Sequence, residues 1–510
     1  MRFNILSKKN KHTVKNHEGA IAYTLTPEME LYSSVVTASL SNQFYETAGE
    51  RLARIRSLIA KNDPVFVAKL TIYTREQMYM RSIPLVLAVE LAKIHTGDAL
   101  VSKMVGRIVQ RADEITELLA FYTLSNNRKE VKKLHRLSKQ LQHGLSLAFN
   151  KFDEYQFAKY NRKTAITLKD ALFILHPKAK DEAQQVLFNK IATDTLQTPY
   201  TWETTLSAAG QQHYHSPEKK QLAFRTAWEE LIDNNMLGYM AMLRNLRNML
   251  EYNISTSHIL KVCTILADEK AVLQSKQLPF RFLSAYRELK SVRHGLTGQV
   301  QQALEKALRI SVQHLRGFDM HTRIVIACDV SGSMQAPISA KSAIKHYDIG
   351  LMLGMLLQHR CTNVVSGMFG DTWKTISMPS GNILANVDEF YKREGEVGYS
   401  TNGYLVLQDL INRKYIADKI MLFTDCQLWD SNTNNQNSKN YMVTKWMEYK
   451  QIAPQAKLYL FNLAGHNTAP LDVRRNDVYL IAGWSDKVFD VMEAIEAGED
   501  AVSHIQKIEL

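Results

Sequence analysis

The sequence predicts two architectures in series: an α-helical repeat array, then an open, doubly wound α/β domain. Three observations predict them. The chain has 510 residues, more than one hydrophobic core usually organises, so two or more domains or an extended array are expected. From about residue 30 to 310, apolar residues recur with the period of an amphipathic helix and strand patterns are scarce. After about residue 318, short β-branched runs alternate with helical segments, the grammar of a largely parallel sheet.

In chain order, the N-terminal "MRFNILSKKNKHTVKN" is basic and lacks the apolar core of a signal peptide. Leu52, Ile55 and Ile59 then place apolar side chains at i, i+3, i+7, and Leu243, Leu246 and Leu250 repeat that spacing. Connectors such as "KNDP", "HTGD" and "HPKAKD" separate such segments, which suggests successive helical hairpins and a solenoid, although no exact repeat is visible. Past the switch, "RIVIACD", "NVVSGMFG", "KIMLFTD", "AKLYLFNL" and "DVYLIAGW" read as strands, with helices at "AIKHYDIGLMLGMLLQH" and "DKVFDVMEAIEAG". The Asn-rich "DSNTNNQNSKN" reads as an exposed loop.

The strand "RIVIACD" ends at Asp329 and runs into Ser331 and Ser333. One carboxylate and two hydroxyls from a short loop are hard oxygen ligands of the kind Mg²⁺ or Mn²⁺ prefers. Alone, D-x-S-x-S also fits an ordinary polar turn. Two later stretches add to it: "LFTD" ends a strand in Asp425, and "GYSTNG" offers Thr401 before a predicted helix. In an open α/β sheet such ends lie at the ligand-binding edge. Asp329, Ser331, Ser333, Thr401 and Asp425 are thus candidate metal ligands. With only two charges among them, a bound ion would stay electrophilic and accept a further anionic oxygen. No general base is evident: His321 and His346 flank the region singly, and His213 and His215 lack neighbours at metal-ligand spacing.

Charge is unevenly placed. The net charge is +12, with 45 Lys and Arg against 30 Asp and Glu in residues 1–320, and 18 against 21 after them. A polyanion partner for the first part follows from counterion release, and a well-solvated basic surface is the alternative. The densest cationic run contains Lys132, Lys133, Arg136 and Lys139, followed by Tyr155, Phe157 and Tyr160 interleaved with Lys159, Arg162 and Lys163. Rings could stack on unpaired bases, but one helical face must be buried and most of these aromatics are expected in the core. Arg244 and Arg247 in "LRNLRN" are further candidates, for which salt bridges within the helix are an equal reading.

The four cysteines, Cys263, Cys328, Cys361 and Cys426, are far apart without a C-x-x-C pair, so neither zinc nor a disulfide framework is expected and a reducing cytoplasm fits. Apolar runs such as "IGLMLGMLL" fall short of a membrane span.

The D-x-S-x-S loop, the later Thr and the strand-terminal Thr-Asp resemble the metal-ion-dependent adhesion site of von Willebrand factor A-like domains. Longer blocks, "REQMYMRSIPLVLAVELA", "FNKFDEYQFAKYNR", "ITLKDALFILHPK", "MLGYMAMLRNLRNML", "LPFRFLSAYREL" and "IAGWSDKVFD", resemble the TROVE-domain family of Ro ribonucleoproteins from about residue 20 onward. The resemblance implies a ring of HEAT-like helical repeats closed by a von Willebrand A-like domain, with a basic segment at 1–20, helical repeats at 21–317 and the α/β domain at 318–510. It further implies binding of small noncoding Y-type RNA on the outer surface and of single-stranded 3′ ends of misfolded or precursor RNA in the central hole, by a monomeric cytoplasmic protein with an exoribonuclease as a candidate partner. The outer segment falls on "AKYNRKTAITLKDALFILHPK", giving Lys159, Arg162 and His176 as contacts with Lys163 and Lys178 beside them. "GYSTNG" departs from the Gly-Gly-Thr-Asp common in the family. The leading expectation is therefore a non-enzymatic RNA-binding protein in RNA quality control or maturation. A metal-dependent protein-interaction adaptor is the alternative, and a metal-dependent nuclease is disfavoured by the missing base.

Overall fold

The computed structural model describes residues 12–38, 45–126, 137–313, 321–339, 342–429 and 441–510. The described residues form two compact units, one from 56–266, 292–300 and 505–510, the other from 1–55, 267–291 and 301–504.

The first unit is helical. Several of its short connectors carry the caps that end one helix and start the next. In "KNDP", Asp63 caps Pro64–Glu76, its carboxylate accepting the Val65 N–H at 3.1 Å. In "HPKAKD", His176 closes Leu168–Leu175 in the left-handed conformation (φ 46°), and Asp181 caps Glu182–Ala192. Of the expected i, i+3, i+7 stripes, Leu243, Leu246 and Leu250 in Tyr239–Glu251 are buried, as are Ile55 and Ile59, while Leu52 is half-buried. Packing is close where side chains are small. A Cβ on Gly144 would meet the Ser102 carbonyl and Val105 Cβ at 2.8 Å, so helix Lys139–Phe149 lies directly on Leu100–Ile108. The buried Arg75 is held by Glu114 at 2.7 Å and by the Ile108 carbonyl at 2.9 Å.

The second unit contains two sheets. Strands β1 (Thr13–Lys15), β2 (Ile21–Thr24) and β8 (Thr468–Ala469) form a small antiparallel sheet in the order β1-β2-β8. The sequence reading foresaw none of the three, because β1 is exposed at every position and strands of two to four residues carry no readable period. The larger sheet comprises β3 (Arg323–Asp329), β4 (Asn363–Phe369), β5 (Trp373–Thr375), β6 (Lys419–Thr424), β7 (Lys457–Asn462) and β9 (Val478–Ala482), in the order β5-β4-β3-β6-β7-β9. All pairings are parallel except that of the edge strand β5. The five strands read from sequence are all present, and their apolar runs are buried as two-sided coverage requires. Helix His346–Arg360 is buried from His346 through Gln358, which explains its lack of a polar face.

The division between units departs from a single boundary near residue 317. Helix Pro27–Val36 belongs with the sheet, where the Tyr32 hydroxyl donates to the Ala482 carbonyl of β9 at 3.0 Å. Arg54 reaches the Gly465 carbonyl at 3.1 Å. Helix Pro279–Leu289 also joins this unit: Arg287 bridges Asp348 at 2.6 Å and Asp388 at 3.2 Å. Helical periodicity shows that a face must be buried but not against what.

Candidate functional site

The larger sheet reverses its winding at β3, because β4 is added on one side of it and β6 on the other. The cleft at the carboxyl ends of these strands is the place where such sheets bind ligands. Asp329 ends β3 and Asp425 directly follows β6, so register alone brings the two carboxylates to neighbouring strand ends. Asp329 Oδ1 accepts the Ser331 N–H at 2.9 Å and Oδ2 the Thr424 hydroxyl at 2.6 Å. The Ser331 and Ser333 hydroxyls lie 3.3 Å apart. The Gly332 N–H donates to the Tyr399 carbonyl at 3.2 Å, which ties this loop to the one bearing Thr401. The Thr401 hydroxyl accepts the Trp429 N–H at 2.8 Å. All five predicted ligands are buried. The structure gathers them on the loops at one sheet edge.

Asp425 Oδ1 accepts the Gln427 N–H at 2.9 Å, while Oδ2 is buried without a hydrogen-bond partner among the described residues. Burial raises both carboxyl pKa values, and for Asp329 the neighbouring Asp425 charge adds to the rise. Two buried carboxylates, one with an unsatisfied oxygen, fit a hard divalent cation, which would neutralise both and use that oxygen. Among the described residues no three His, Cys, Asp or Glu side chains are grouped as a metal cage, so serine and threonine hydroxyls would have to complete the ligand set. His346 is buried beside Trp484, its ring Nε2 without a hydrogen-bond partner, and burial lowers its pKa to about 4. His213 and His215 meet edge to face, with ring centroids 5.9 Å apart.

The basic candidates lie in the helical unit. Lys159 is in helix Glu154–Tyr160, Arg162 and Lys163 are exposed on the loop after it, and His176 and Lys178 are exposed in the connector after Leu168–Leu175. The connector is fastened: Asn150 donates to the Lys178 carbonyl at 2.9 Å and accepts the Lys180 N–H at 3.0 Å. No ion pair engages Arg162, Lys163 or Lys178 among the described residues, whereas Lys169 is paired with Asp194 and Lys190 with Glu154.

The interleaved aromatics divide. Phe157 is core, packed on Phe149 and Phe152. Tyr155 is 44% exposed with the Lys159 ammonium 5.7 Å from its ring, and Tyr160 lies under Arg111 at 4.2 Å. Phe173, 56% exposed, was missed by the sequence reading. The signal was present, since Leu168, Ala171 and Leu175 form the buried stripe and leave Phe173 on the opposite face. Lys139 is exposed, whereas Lys132, Lys133, Arg136 and the Asn-rich loop 430–440 lie outside the described residues. Arg244 and Arg247 are exposed, and Arg247 is 3.7 Å from Glu251 one turn on, the within-helix salt bridge that was the alternative reading.

Fold and loops together define a helical-repeat protein that carries a von Willebrand A-like α/β domain. The profile of the TROVE domain matches residues 22–220 and again 194–294, more than half of the chain. The chain belongs to the TROVE-domain family, a family of RNA-binding ribonucleoproteins. It is 28% identical over 331 residues to telomerase protein component 1 of Mus musculus and 29% identical over 301 residues to that of Rattus norvegicus. The matches span 51% and 46% of this chain but only 12% and 11% of those much longer proteins. The crystal structure of the Deinococcus radiodurans RO (RSR) protein superposes with a TM-score of 0.60 at 17% identity, covering 93% of this chain and all of that one. That likeness establishes the fold.

Proposed function

We propose that this protein is a non-catalytic RNA-binding scaffold that holds a small structured noncoding RNA of the Y type and receives single-stranded 3′ ends of misfolded or precursor RNA, in cytoplasmic RNA quality control or maturation, where it could present RNA to an exoribonuclease. One observation carries the reading: Arg162, Lys163 and Lys178, without ion pairs among the described residues, share a short stretch with the exposed rings of Tyr155 and Phe173. Cations meet phosphates by counterion release, and exposed rings offer stacking platforms for unpaired bases. The test is filter binding over a salt series with a Lys159→Ala, Arg162→Ala, His176→Asn variant. Asparagine is chosen at 176 because it tolerates the left-handed backbone there. Structured RNA should lose more affinity than an RNA offering only a single-stranded 3′ tail. Equal losses for both, or none, would refute separate surfaces.

The same reading gives Asp329, Ser331, Ser333, Thr401 and Asp425 to one Mg²⁺ or Mn²⁺ ion. Bound there, the ion would supply an electrophilic centre for an anionic oxygen. Asp329 and Asp425 would provide its charge and the hydroxyls its remaining protein contacts, while Thr424 and the Ser331 N–H hold Asp329 in place. A second function, as a metal-dependent adaptor for an acidic protein partner, is favoured by the unsatisfied oxygen of Asp425. Pull-down with an acidic peptide in Mg²⁺ against EDTA separates the two.

A further inference from the structure

The N-terminal turn that joins β1 to β2 is fastened to the loop that follows Asp425. Asn16, itself buried, donates from its side-chain amide to the Leu428 carbonyl at 2.9 Å, and the His17 N–H donates to the Gln427 side-chain oxygen at 2.9 Å. Gln427 is the residue whose own N–H holds Asp425 Oδ1. The turn is internally braced, because Asn16 Oδ1 accepts the Ala20 N–H at 2.8 Å. Its tip is Glu18, whose carboxylate accepts the hydroxyl of Tyr45. Tyr45 stacks on the His17 ring, with centroids 5.0 Å apart, and both rings meet the buried His466 edge on. The charge of Glu18 is felt at Asp425, and the Tyr45 hydroxyl interacts with Ser333, one of the candidate ligands. Residues more than 400 positions away thus converge on the Asp425 loop, where a buried carboxylate oxygen has no partner.

We propose that the turn Asn16–Gly19 is part of the metal centre, with Glu18, positioned by Tyr45, adding from within the chain an acidic group beside the face that would receive an outside carboxylate. The inference rests on the metal reading of Asp329 and Asp425. Glu18 acts from beyond the ring of Asp, Ser and Thr oxygens. It strengthens cation binding through its charge, and it competes with outside carboxylates for the same face. It also gives the pairing of β1 and β2 with β8 a purpose, since that pairing carries Glu18 to the Asp425 loop.

The experiment is Mn²⁺ titration of the full chain, followed by calorimetry and by Mn²⁺ electron paramagnetic resonance, in wild type and in Glu18→Gln, Tyr45→Phe and Asp329→Ala variants. Glu18→Gln is isosteric and exposed, so it should fold as wild type does. Removing one screened charge near a divalent ion should weaken binding on the order of fivefold. Tyr45→Phe, which frees Glu18 without removing its charge, should give a smaller loss. With Mn²⁺ bound, an acidic peptide should broaden the resonance more readily in Glu18→Gln than in wild type. Wild-type affinity and peptide response in Glu18→Gln, with binding still abolished by Asp329→Ala, would overturn this inference and leave the metal site standing. Binding that survives Asp329→Ala, or no binding in wild type, would overturn the metal reading itself and this inference with it.

Discussion

Asp329 and Asp425 confront each other at neighbouring strand ends, buried and both anionic at neutral pH only at a cost in stability. A cation that binds the folded state alone stabilises it by an amount that grows with the logarithm of its concentration over Kd, about 2.7 kcal/mol at a hundredfold excess. Millimolar Mg²⁺ or Mn²⁺ should therefore raise the melting temperature of the wild type and leave that of Asp329→Ala unchanged in differential scanning fluorimetry. Ser333→Ala should retain a smaller upward shift, since it removes one neutral ligand. His346 acts in the opposite sense to these carboxyl groups as pH falls. His346 is buried, packed on Trp484, and repelled by the Arg51 cation, so its pKa falls from 6.5 to about 4. The folded state then binds fewer protons than the unfolded state between these values, and stability is lost as pH falls from 6.5 towards 4. This one group contributes about 3 kcal/mol of that loss. As pH falls from 7 to 5, the urea midpoint of the wild type should decline relative to that of His346→Gln, because the substitution removes the contribution of this histidine alone.

Among elements, the contact between helices Leu100–Ile108 and Lys139–Phe149 sets two effects against each other at Gly144. Ala in place of Gly gains about 1 kcal/mol of helix propensity. A Cβ there would sit 2.8 Å from the Ser102 carbonyl and from Val105 Cβ, however, and overpacking of this kind costs about 1–3 kcal/mol. The backbone carbonyl cannot swing aside, so the clash should win. Gly144→Ala should lower the urea midpoint, whereas Gly298→Ala, in helix Thr297–Ser311 with no atom within 4 Å of the added Cβ, should not.

For the whole molecule, the basic excess of residues 1–320 and the division into units make opposite demands on a truncation experiment. The charge suggests that a fragment ending near residue 320 would keep RNA affinity. Yet residues 12–38 and 267–291 belong to the sheet unit, and such a fragment would expose the faces of helices Pro27–Val36 and Pro279–Leu289 and strand the Arg287 cation. It should melt without a cooperative transition and be cut rapidly in those two stretches, as circular dichroism and limited proteolysis would report. RNA affinity is therefore better measured on the full chain. There, the logarithm of the binding constant should fall linearly with the logarithm of salt concentration, with a slope about one unit smaller for each phosphate-contacting Lys or Arg removed.

The sequence by itself determined the architecture and the metal-ligand candidates. Helical periods and β-branched runs are written locally, so Leu243, Leu246 and Leu250 announced a buried stripe and Ile324, Val325 and Ile326 a core strand. The rule that parallel sheets bind at their carboxyl ends then placed Asp329 and Asp425 on one sheet edge, and the pairing of β3 with β6 made them neighbours. Only the tertiary structure decided which partner each amphipathic face would take. It sent Pro27–Val36 and Pro279–Leu289 to the sheet, buried Phe157 while leaving Tyr155 and Phe173 exposed, and carried Glu18 to the loop after Asp425. The reason is physical. A local pattern specifies that apolar surface must leave water but not the surface it meets, because burial is non-directional. Contacts between residues 16 and 428 depend on the path of the whole chain, and no window of sequence contains both ends.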